Sequence, residues 1–254
     1  MNITGNTILV TGGGTGIGRA LAEALHARGN KVVVAGRRRA ALDAVTAANP
    51  GVDAIELDVA DAGSIATAAA RVVAEHPALN VVVHNAGVMR AEDLTADRYD
   101  LADAEATIAT NLLGPIRLTA ALLPQLRSRE RATIMTVSSG LAFVPLAFTP
   151  TYSATKAAIH AWSQAIRAQL AGTGVEVIEL APPAVATDLM PGHEADPRSM
   201  PLDAFIAEVM TLLESNPDAP ELLVERVRPL RFAERENRHQ EMFAMLNGGY
   251  RLAS

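Results

Sequence analysis

The sequence contains no cysteine, no long unbroken apolar run and no strongly basic segment. The absence of cysteine excludes disulfide bonds, thiolate nucleophiles and cysteine-bound iron–sulfur centres, and it fits a reducing compartment. The longest apolar stretch, Leu112 to Leu126, is broken by glycine, proline and arginine, which makes it too short to span a bilayer. The N-terminal residues lack the basic region and apolar stretch of a signal peptide. We therefore expect a soluble cytoplasmic protein.

The net charge is −6, and basic residues cluster only at 37–39 and 127–131. This balance argues against a surface that binds nucleic acid or a membrane. With 254 residues, of which 49% are hydrophobic, the chain can bury a large core. It shows no internal repeat and no long linker, so we expect residues 1–254 to form a single dinucleotide-binding and catalytic domain.

Short, nearly continuous apolar segments alternate with helical patterns through the first 180 residues. This alternation is typical of a parallel sheet buried on both faces, in which right-handed crossovers build a doubly wound α/β fold. The predicted strands are Thr7–Val10, Lys31–Ala35, Asp53–Leu57, Val81–His84, Ala132–Val137 and Val175–Leu180. The predicted helices are Gly16–Arg28, Arg38–Ala48, Ser64–Glu75, Leu101–Arg127 and Thr151–Ala171.

The pattern changes after Leu180. Residues 181–201 contain five prolines and are predicted to form a loop. A loop of this length in a compact domain is often a lid or a binding loop, and we expect a substrate lid at about 183–215. Helical patterns follow at Leu202–Glu214, Ala219–Arg235 and Glu236–Leu246.

Between the first predicted strand and the first predicted helix lies a glycine-rich loop, Thr11-Gly12-Gly13-Gly14-Thr15-Gly16-Ile17-Gly18. Glycine lets the backbone approach a pyrophosphate, and the helix N-terminus supplies free N–H groups and a positive dipole end. Any tight strand-to-helix turn needs a glycine or two, but the position of this loop favours dinucleotide binding, and a P-loop is excluded because no Gly-Lys-Ser/Thr follows. The expected cofactor contacts in the loop are Thr11, Gly12, Gly14, Thr15, Gly16, Ile17 and Gly18.

The end of the second predicted strand is expected to select the cofactor, because an acid there holds a ribose 2′-hydroxyl whereas a base suits a 2′-phosphate. The chain has Ala35-Gly36-Arg37-Arg38-Arg39 and no acid. The alternative is three solvated arginines opening a surface helix, but positive charge opposes the dipole at a helix N-terminus. We expect NADP(H) rather than NAD(H), with Arg37 and Arg38 on the phosphate. Asp58 and Val59 are expected to line the adenine site, although Asp58 could equally cap a loop.

Tyr152 and Lys156 are four residues apart and therefore share one face of a predicted helix. A free tyrosine has a pKa of about 10, and a nearby ammonium together with an oxidised nicotinamide would favour the phenolate. Ser139, just past the fifth predicted strand, can polarise a carbonyl oxygen by donating a hydrogen bond. Asn111 lies inside the long predicted helix, where asparagine is a mediocre helix former, which hints at an inward role. An isolated Tyr-x-x-x-Lys is usually an exposed pair, but with Ser139 and the glycine loop it predicts proton transfer.

The pattern resembles the short-chain dehydrogenase/reductase family, in its compact single-domain type with a Rossmann-like fold. The similarity runs from Thr11 to Thr187 and includes the glycine loop, Asp58-Val59, Asn85-Ala86-Gly87, Asn111, Ser139 and Tyr152-x-x-x-Lys156. The resemblance implies that Tyr152 is the general acid/base, that Lys156 modulates its pKa and binds ribose, that Ser139 orients the carbonyl, and that Asn111 holds a water in a proton relay.

The resemblance also implies further cofactor contacts. Asn85, with Ala86 and Gly87, would support the sheet and the cofactor site. Pro182, Val185 and Thr187 would contact the cofactor as well, Thr187 at the nicotinamide carboxamide. The stretch 181–189 resembles a bacterial branch of the family named for a D-alanylation operon oxidoreductase.

The sequence departs from the family pattern in three places. His84 replaces the first asparagine of the usual Asn-Asn-Ala-Gly, and we expect it to be a core or strand-end residue. Pro182-Pro183 replaces the usual Pro-Gly after the sixth strand. The C-terminal glycine-rich signature is reduced to Asn247-Gly248-Gly249-Tyr250, which leaves a seventh strand open.

Several other residues attract attention. We expect His160 to pack or to lie at a subunit contact rather than to face the site. His193 and Glu194 have no partner at metal-ligand spacing, so no metal is expected. An apolar substrate pocket, with core packing as the competing role, is suggested by Met89, Leu141, Phe143, Val144, Phe148 and Met190.

The predicted function is that of an NADP(H)-dependent oxidoreductase that transfers a hydride between the nicotinamide and a carbonyl or secondary alcohol. The substrate would be small and moderately apolar, and the protein would form a homodimer or homotetramer. The alternative is an NADP(H)-binding sensor or interaction protein without useful chemistry. An epimerase or dehydratase is disfavoured because the chain lacks a sizeable C-terminal substrate domain.

Overall fold

In the computed structural model, which describes residues 1–190, 192 and 195–248, parallel strands form one sheet in the order β3-β2-β1-β4-β5-β6-β7. The strands are β1 (Thr7–Thr11), β2 (Lys31–Gly36), β3 (Asp53–Glu56), β4 (Val81–His84), β5 (Ala132–Val137), β6 (Val175–Leu180) and β7 (Glu221–Leu222). The predicted doubly wound parallel sheet is therefore confirmed. From β1 the chain first adds β2 and β3 on one side and then β4 to β7 on the other. In doubly wound sheets such a change of direction opens a crevice at the carboxyl ends of the strands on either side of it, here β1 and β4.

Helices cover both faces of the sheet. They are α1 (Gly16–His26), α2 (Arg39–Ala48), α3 (Ala62–Glu75), α4 (Ala102–Ile108), α5 (Gly114–Arg127), α6 (Pro150–Gln169), α7 (Leu202–Ser215), α8 (Arg228–Arg231) and α9 (His239–Asn247). Alternate strand residues point to opposite faces, so Ile8 and Val10 pack in the core layer that contains α1 and α7, while Leu9 packs in the layer that contains α3 and α5. The near-continuous apolar strands thus have a partner on each face.

The long helix predicted from Leu101 to Arg127 is interrupted in its middle. A π-helical turn, Ala109–Leu113, separates α4 from α5. The segment Ala102–Arg127 is long and apolar enough to cross a membrane by length and composition, a criterion that buried core helices also meet. Its apolar face is used inside the fold, because Leu118, Leu122 and Leu126 are fully buried in the core layer with α3.

The prediction of one helix at Ala219–Arg235 is wrong. The structure instead has β7, a short 3₁₀ turn at Glu225–Val227 and α8. The strand β6 would otherwise expose an unpaired edge, and it pairs here with β7 through the N–H groups of Glu179 and Ala181. Tertiary pairing thus overrides the local helical pattern. The last helix begins at His239 rather than Glu236 and includes Asn247, while Gly249 and Tyr250 lie outside the described residues.

His84, at the end of β4, is a buried structural residue, as expected. Its Nε2 lies 2.8 Å from Thr119 Oγ1, and its ring makes an edge contact with Trp162. Burial lowers the pKa of His84 to about 3, so the imidazole is neutral in the folded protein. The unfolded chain, with a histidine pKa of about 6.5, takes up a proton first as the pH falls.

Stability should therefore depend on pH through His84. Between about pH 6.5 and pH 3 the unfolded state binds the extra proton, so the free energy of unfolding falls by up to about 1.4 kcal/mol per pH unit of acidification. Urea unfolding at pH 7 and pH 5 should show the wild type losing about 2 kcal/mol more than His84→Asn. His239→Asn, on the surface helix α9, serves as the control. Equal losses in wild type and His84→Asn would contradict a neutral buried imidazole.

Candidate active site

The glycine-rich loop after β1 forms a backbone cradle. Gly12 and Gly16 have φ values of +65° and +52°, in the left-handed region that favours glycine. At Gly18 a Cβ atom would lie 2.3 Å from Asn85 Nδ2 and 2.4 Å from the Gly12 carbonyl oxygen, so only glycine fits. Thr15, the N-cap residue of α1, makes no capping hydrogen bond through its side chain. The first N–H groups of α1 thus face the crevice as donors for an anion, which fits a dinucleotide pyrophosphate.

Behind the cradle, the ends of β1 and β4 are joined by a small hydrogen-bond network. Thr11 Oγ1 accepts from the backbone N–H groups of Asn85 and Ala86 and donates to the Val83 carbonyl. Asn85 Nδ2 donates in turn to the Thr11 carbonyl at 3.0 Å. Thr11 and Gly18 therefore lie behind the cavity wall rather than in it, whereas Asn85, Ala86 and Gly87 line the cavity.

The two candidate phosphate ligands lie at the open end of the crevice. Arg38 Nη2 donates to Thr15 Oγ1 at 3.2 Å and lies 3.8 Å from Asp188. Arg37 is exposed, lines the cavity and forms no ion pair among the described residues. For Asp58 the sequence left two roles open, lining the adenine site and capping a loop. In the structure Asp58 lines the cavity, and its Oδ1 also accepts from Ala60 N–H. Val59 lies beside it in the cavity wall.

Ser139, Tyr152 and Lys156 converge on the inner wall of the same cavity. Ser139 Oγ accepts from the Leu141 N–H at 3.1 Å, and the Ser139 side chain lies next to the Tyr152 phenol, where its hydrogen bond acts to lower the pKa of that phenol. Lys156 Nζ donates to the Val137 carbonyl at 2.8 Å and lies 5.5 Å from the centre of the Tyr152 ring. The Ser139 hydroxyl, the Tyr152 phenol and the Lys156 amine are thus close together.

Burial shifts both titrating groups toward their neutral forms. It raises the pKa of Tyr152 to about 12, against the smaller opposite effect of the Ser139 hydrogen bond. It lowers the pKa of Lys156 to about 8, although the negative charge of Glu179 acts to raise it. Low dielectric surroundings disfavour phenolate and ammonium alike, so each ion is stabilised only by charges placed close to it.

Asn111 lies in the π-helical turn and is almost fully buried. Its Oδ1 accepts from Val88 N–H, and its Nδ2 donates to the Val88 carbonyl and to Thr155 Oγ1. The Asn111 amide therefore holds the segment after β4 in place. The neighbouring Thr110, rather than Asn111, lines the cavity. A π turn breaks the regular helical hydrogen bonding and often marks a functional site, and this irregularity gave no recognisable signal in the sequence.

The start of α6, which carries Tyr152, is capped from outside the helix. Glu92 accepts from the N–H and the hydroxyl of Thr151 at 2.9 and 2.7 Å, and from the Tyr99 hydroxyl. Burial raises the pKa of Glu92, but these hydrogen bonds outweigh that effect and lower it overall. The carboxylate also complements the positive end of the helix dipole. The segment after β4 thus fixes the first turn of α6.

The cavity has a volume of about 610 Å³, and its inner part is apolar. Met89 and Leu141 line it, as expected for a substrate pocket, and so do Leu146 and Leu189. The other expected pocket residues lie elsewhere: Phe143 packs on His160, Val144 packs with α9, and Phe148 and Met190 back the cluster around Tyr152.

The far wall of the cavity is built by the C-terminal region, which sequence reasoning missed. Its residues are Arg226, Pro229, Leu230, Met245 and Leu246. Asn247 joins this region to the segment before α6, since its Oδ1 accepts from Ala147 N–H and its Nδ2 donates to the Pro145 carbonyl. Only long-range packing brings these residues to the site, so no local sequence pattern could have identified them.

The loop after β6 crosses the mouth of the crevice. Pro182, Val185 and Thr187 line the cavity, and the Thr187 side chain lies 3.5 Å from the position of a Cβ on Gly16. A bridge between Val185 and Met200 closes the loop on itself. His193 and Glu194 lie outside the described residues.

Comparison with known proteins agrees with this arrangement. The family model for short chain dehydrogenase matches residues 6–198. An uncharacterized oxidoreductase, DltE of Bacillus subtilis, is 42% identical over 74% of this chain and 75% of its own length. An uncharacterized oxidoreductase of Myxococcus xanthus is 37% identical over 72% and 73%. The solved structure of a short chain dehydrogenase from Burkholderia cenocepacia, in complex with NADP, superimposes with a TM-score of 0.81 at 28% identity, over 97% of this chain and 99% of the other.

The Glu92 cap yields a prediction about α6. Glu92→Ala leaves Thr151 without its acceptor and should destabilise the protein by about 1–2 kcal/mol, as loss of an N-cap does. Amide hydrogen exchange should rise in the first turn of α6, around Tyr152. Asp61→Ala removes the cap of α3, where Asp61 accepts from Ser64 N–H, and should raise exchange there instead. Unchanged exchange around Tyr152 in Glu92→Ala would show that Glu92 does not hold this helix.

Proposed function

Because the chain belongs to the short-chain dehydrogenase family, we propose that it is an NADP(H)-dependent oxidoreductase that interconverts a carbonyl compound and a secondary alcohol. The observation that carries the proposal is the convergence of Ser139, Tyr152 and Lys156 on one cavity whose other end is the glycine cradle. The cofactor, when bound, supplies or accepts the hydride. The chain's own residues orient the carbonyl, exclude water and move the proton.

Ser139 is oriented for a carbonyl oxygen. Because its hydroxyl oxygen accepts from Leu141 N–H, the hydroxyl proton is available for a carbonyl oxygen in the cavity. Tyr152, with its hydroxyl beside Ser139, donates the proton that the carbonyl oxygen takes up during reduction. The raised pKa of Tyr152, about 12 in the unliganded protein, keeps the phenol protonated for this step.

Lys156 makes the proton transfer reversible. Its ammonium lies against the Tyr152 ring and favours the phenolate that remains after the proton has left. The lysine can also reach a cofactor ribose, because Nζ lies 3.8 Å from the position of a Cβ on Gly87, in the cavity wall. Asn111 supports the site through Val88, and any water in a proton relay would be held by the backbone of the π turn rather than by its amide.

Of the substrate lid expected at about 183–215, the part that faces the cavity is mainly residues 183–189, in which Thr187 lies next to Gly16, whereas α7 packs in the core. The pocket beneath the lid fits a small, moderately apolar carbonyl compound, because Met89, Leu141 and Leu146 surround the space next to Tyr152. The protein acts in the cytoplasm as a homodimer or homotetramer, which the exposed Leu101, Ile108 and Leu113 along α4 and the π turn support.

Tyr152→Phe should abolish nearly all turnover while retaining cofactor binding. The variant lacks the proton donor, a loss of on the order of 10²–10⁴ in rate, but keeps the ring that packs in the cavity. NADPH oxidation with a panel of ketones, aldehydes and diketones measures turnover, and NADPH fluorescence measures binding. Turnover retained by Tyr152→Phe would remove the role given to Tyr152. A wild type that binds NADPH tightly and turns over no carbonyl would favour the sensor alternative.

Arg37→Asp should shift the cofactor preference from NADPH toward NADH. The change replaces a cation at the end of β2, which forms no ion pair with any described residue, with a carboxylate that repels a 2′-phosphate and can accept from a ribose 2′-hydroxyl. The ratio of dissociation constants for the two cofactors is the measurement. Arg39→Asp is the matched control, because Arg39 is paired with Asp43 and does not line the cavity. A ratio unchanged by Arg37→Asp would contradict the assignment of Arg37.

A further inference from the structure

One buried carboxylate next to the candidate active site has no part in the proposed reaction. Glu179, on β6, is fully buried and points toward α6. His160 Nδ1 lies 2.8 Å from its Oε2, whereas its Oε1 is buried without a hydrogen-bond partner among the described residues. A buried carboxylate oxygen without a donor costs free energy, so its presence calls for a compensating role.

This carboxylate is hydrogen-bonded to the same helix that carries Lys156. Lys156 and His160 are one turn apart on the same face of α6. Lys156 reaches the Val137 carbonyl at the end of β5, and His160 reaches Glu179 on the adjacent strand. Val137, whose carbonyl binds the Lys156 ammonium, is paired with Leu180 in the sheet. Glu179 is the residue directly before Leu180 on β6.

Two arginines and a second carboxylate also surround Glu179. Glu221 on β7 accepts two hydrogen bonds from Arg231, at 2.7 and 2.9 Å, and Arg231 stacks over Phe143. Arg167 on α6 donates to the carbonyls of Val177 and Pro220. Glu179 hydrogen-bonds His160, and its negative charge acts on both Arg231 and Lys156.

A metal ion is a poor alternative occupant. Ligand atoms of His160, Glu179 and Glu221 lie within 4.8 Å of one another. However, the guanidinium of Arg231 already binds both oxygens of Glu221, and its positive charge would repel a metal ion from the same place. The cluster therefore suits an internal electrostatic role better than cation binding.

We propose that Glu179, held by His160, is a positioning residue that keeps the ammonium of Lys156 charged behind Tyr152. The inference rests on the proposed function, in which a charged Lys156 favours the Tyr152 phenolate. Burial lowers the pKa of Lys156 and Glu179 opposes this shift, and the balance of the two effects is a pKa of about 8. Without the carboxylate, Lys156 would lose its proton near neutral pH.

His160 fixes the carboxylate by donating from Nδ1, and its ring is held by an edge contact with Phe143 at 4.8 Å between ring centres. An asparagine side chain places an N–H donor near the position of Nδ1, so His160→Asn should preserve the bond to Glu179. His160→Leu removes it and leaves the Glu179 carboxylate buried without that donor, an arrangement that costs free energy. Both variants lack the imidazole ring, but only His160→Asn keeps a hydrogen-bond donor, so comparing them isolates the effect of the hydrogen bond.

The chain contains two lysines, Lys31 and Lys156, so the charge of Lys156 can be observed directly. Protein labelled with ¹³C-lysine, in a Lys31→Arg background, gives one lysine side-chain signal whose pH titration reports the pKa of Lys156. In Glu179→Gln the midpoint should fall by about one pH unit, the lower end of the effect of a nearby opposite charge. His160→Leu should give a fall in the same direction, and His160→Asn should restore the wild-type midpoint.

Glu176→Gln is the matched control, since it makes the same change on the same strand at a half-exposed carboxylate that binds the N-terminus. It should leave the midpoint unchanged. The alkaline limb of kcat/KM for NADPH-dependent reduction should shift with the midpoint in Glu179→Gln. An unchanged lysine midpoint in Glu179→Gln would overturn the inference, whether or not the enzyme is active. Absence of carbonyl turnover in the wild type would overturn the proposed function alone, because the titration needs no substrate.

Discussion

The site depends on the close contact between the glycine loop and the end of β4. Gly18 leaves no room for a Cβ between Asn85 and the Gly12 carbonyl, so the loop, helix α1 and strand β4 meet at backbone distance. Thr11 ties the same strands together with hydrogen bonds to Asn85 and Ala86. This contact directs the N-terminus of α1 at the crevice and sets Gly87 beside Lys156. The glycine loop and the residues expected to transfer the proton are therefore joined at one junction.

Burial strengthens the interactions at that junction and also disfavours the charged forms of Tyr152 and Lys156. The low dielectric that strengthens electrostatic interactions also penalises ammonium and phenolate. Lys156 is held against a backbone carbonyl rather than a carboxylate, so the structure leaves its charge available to Tyr152. The compensating negative charge lies one strand away, at Glu179, and stabilises the ammonium through space.

Local signals were sufficient for the fold and for most of the cavity wall. Strand and helix patterns up to Leu180 were confirmed within a few residues, because each element is buried on the face that its periodicity indicates. The failure at Ala219–Arg235 arose from a non-local force, the open edge of β6, which local propensity does not encode. Likewise, the π turn at Asn111 and the cap of α6 by Glu92 depend on contacts between segments far apart in the chain.

The part of the cavity that the family model covers and the part that it does not cover come from different segments of the chain. The family model ends at residue 198, after Ser139, Tyr152, Lys156 and the glycine loop. Leu230, Met245 and Leu246, which form the far wall of the cavity, lie beyond that point. This C-terminal segment therefore supplies a part of the cavity wall that the family model does not include. Its attachment through Asn247 to the loop before α6 couples the shape of that wall to the position of Tyr152.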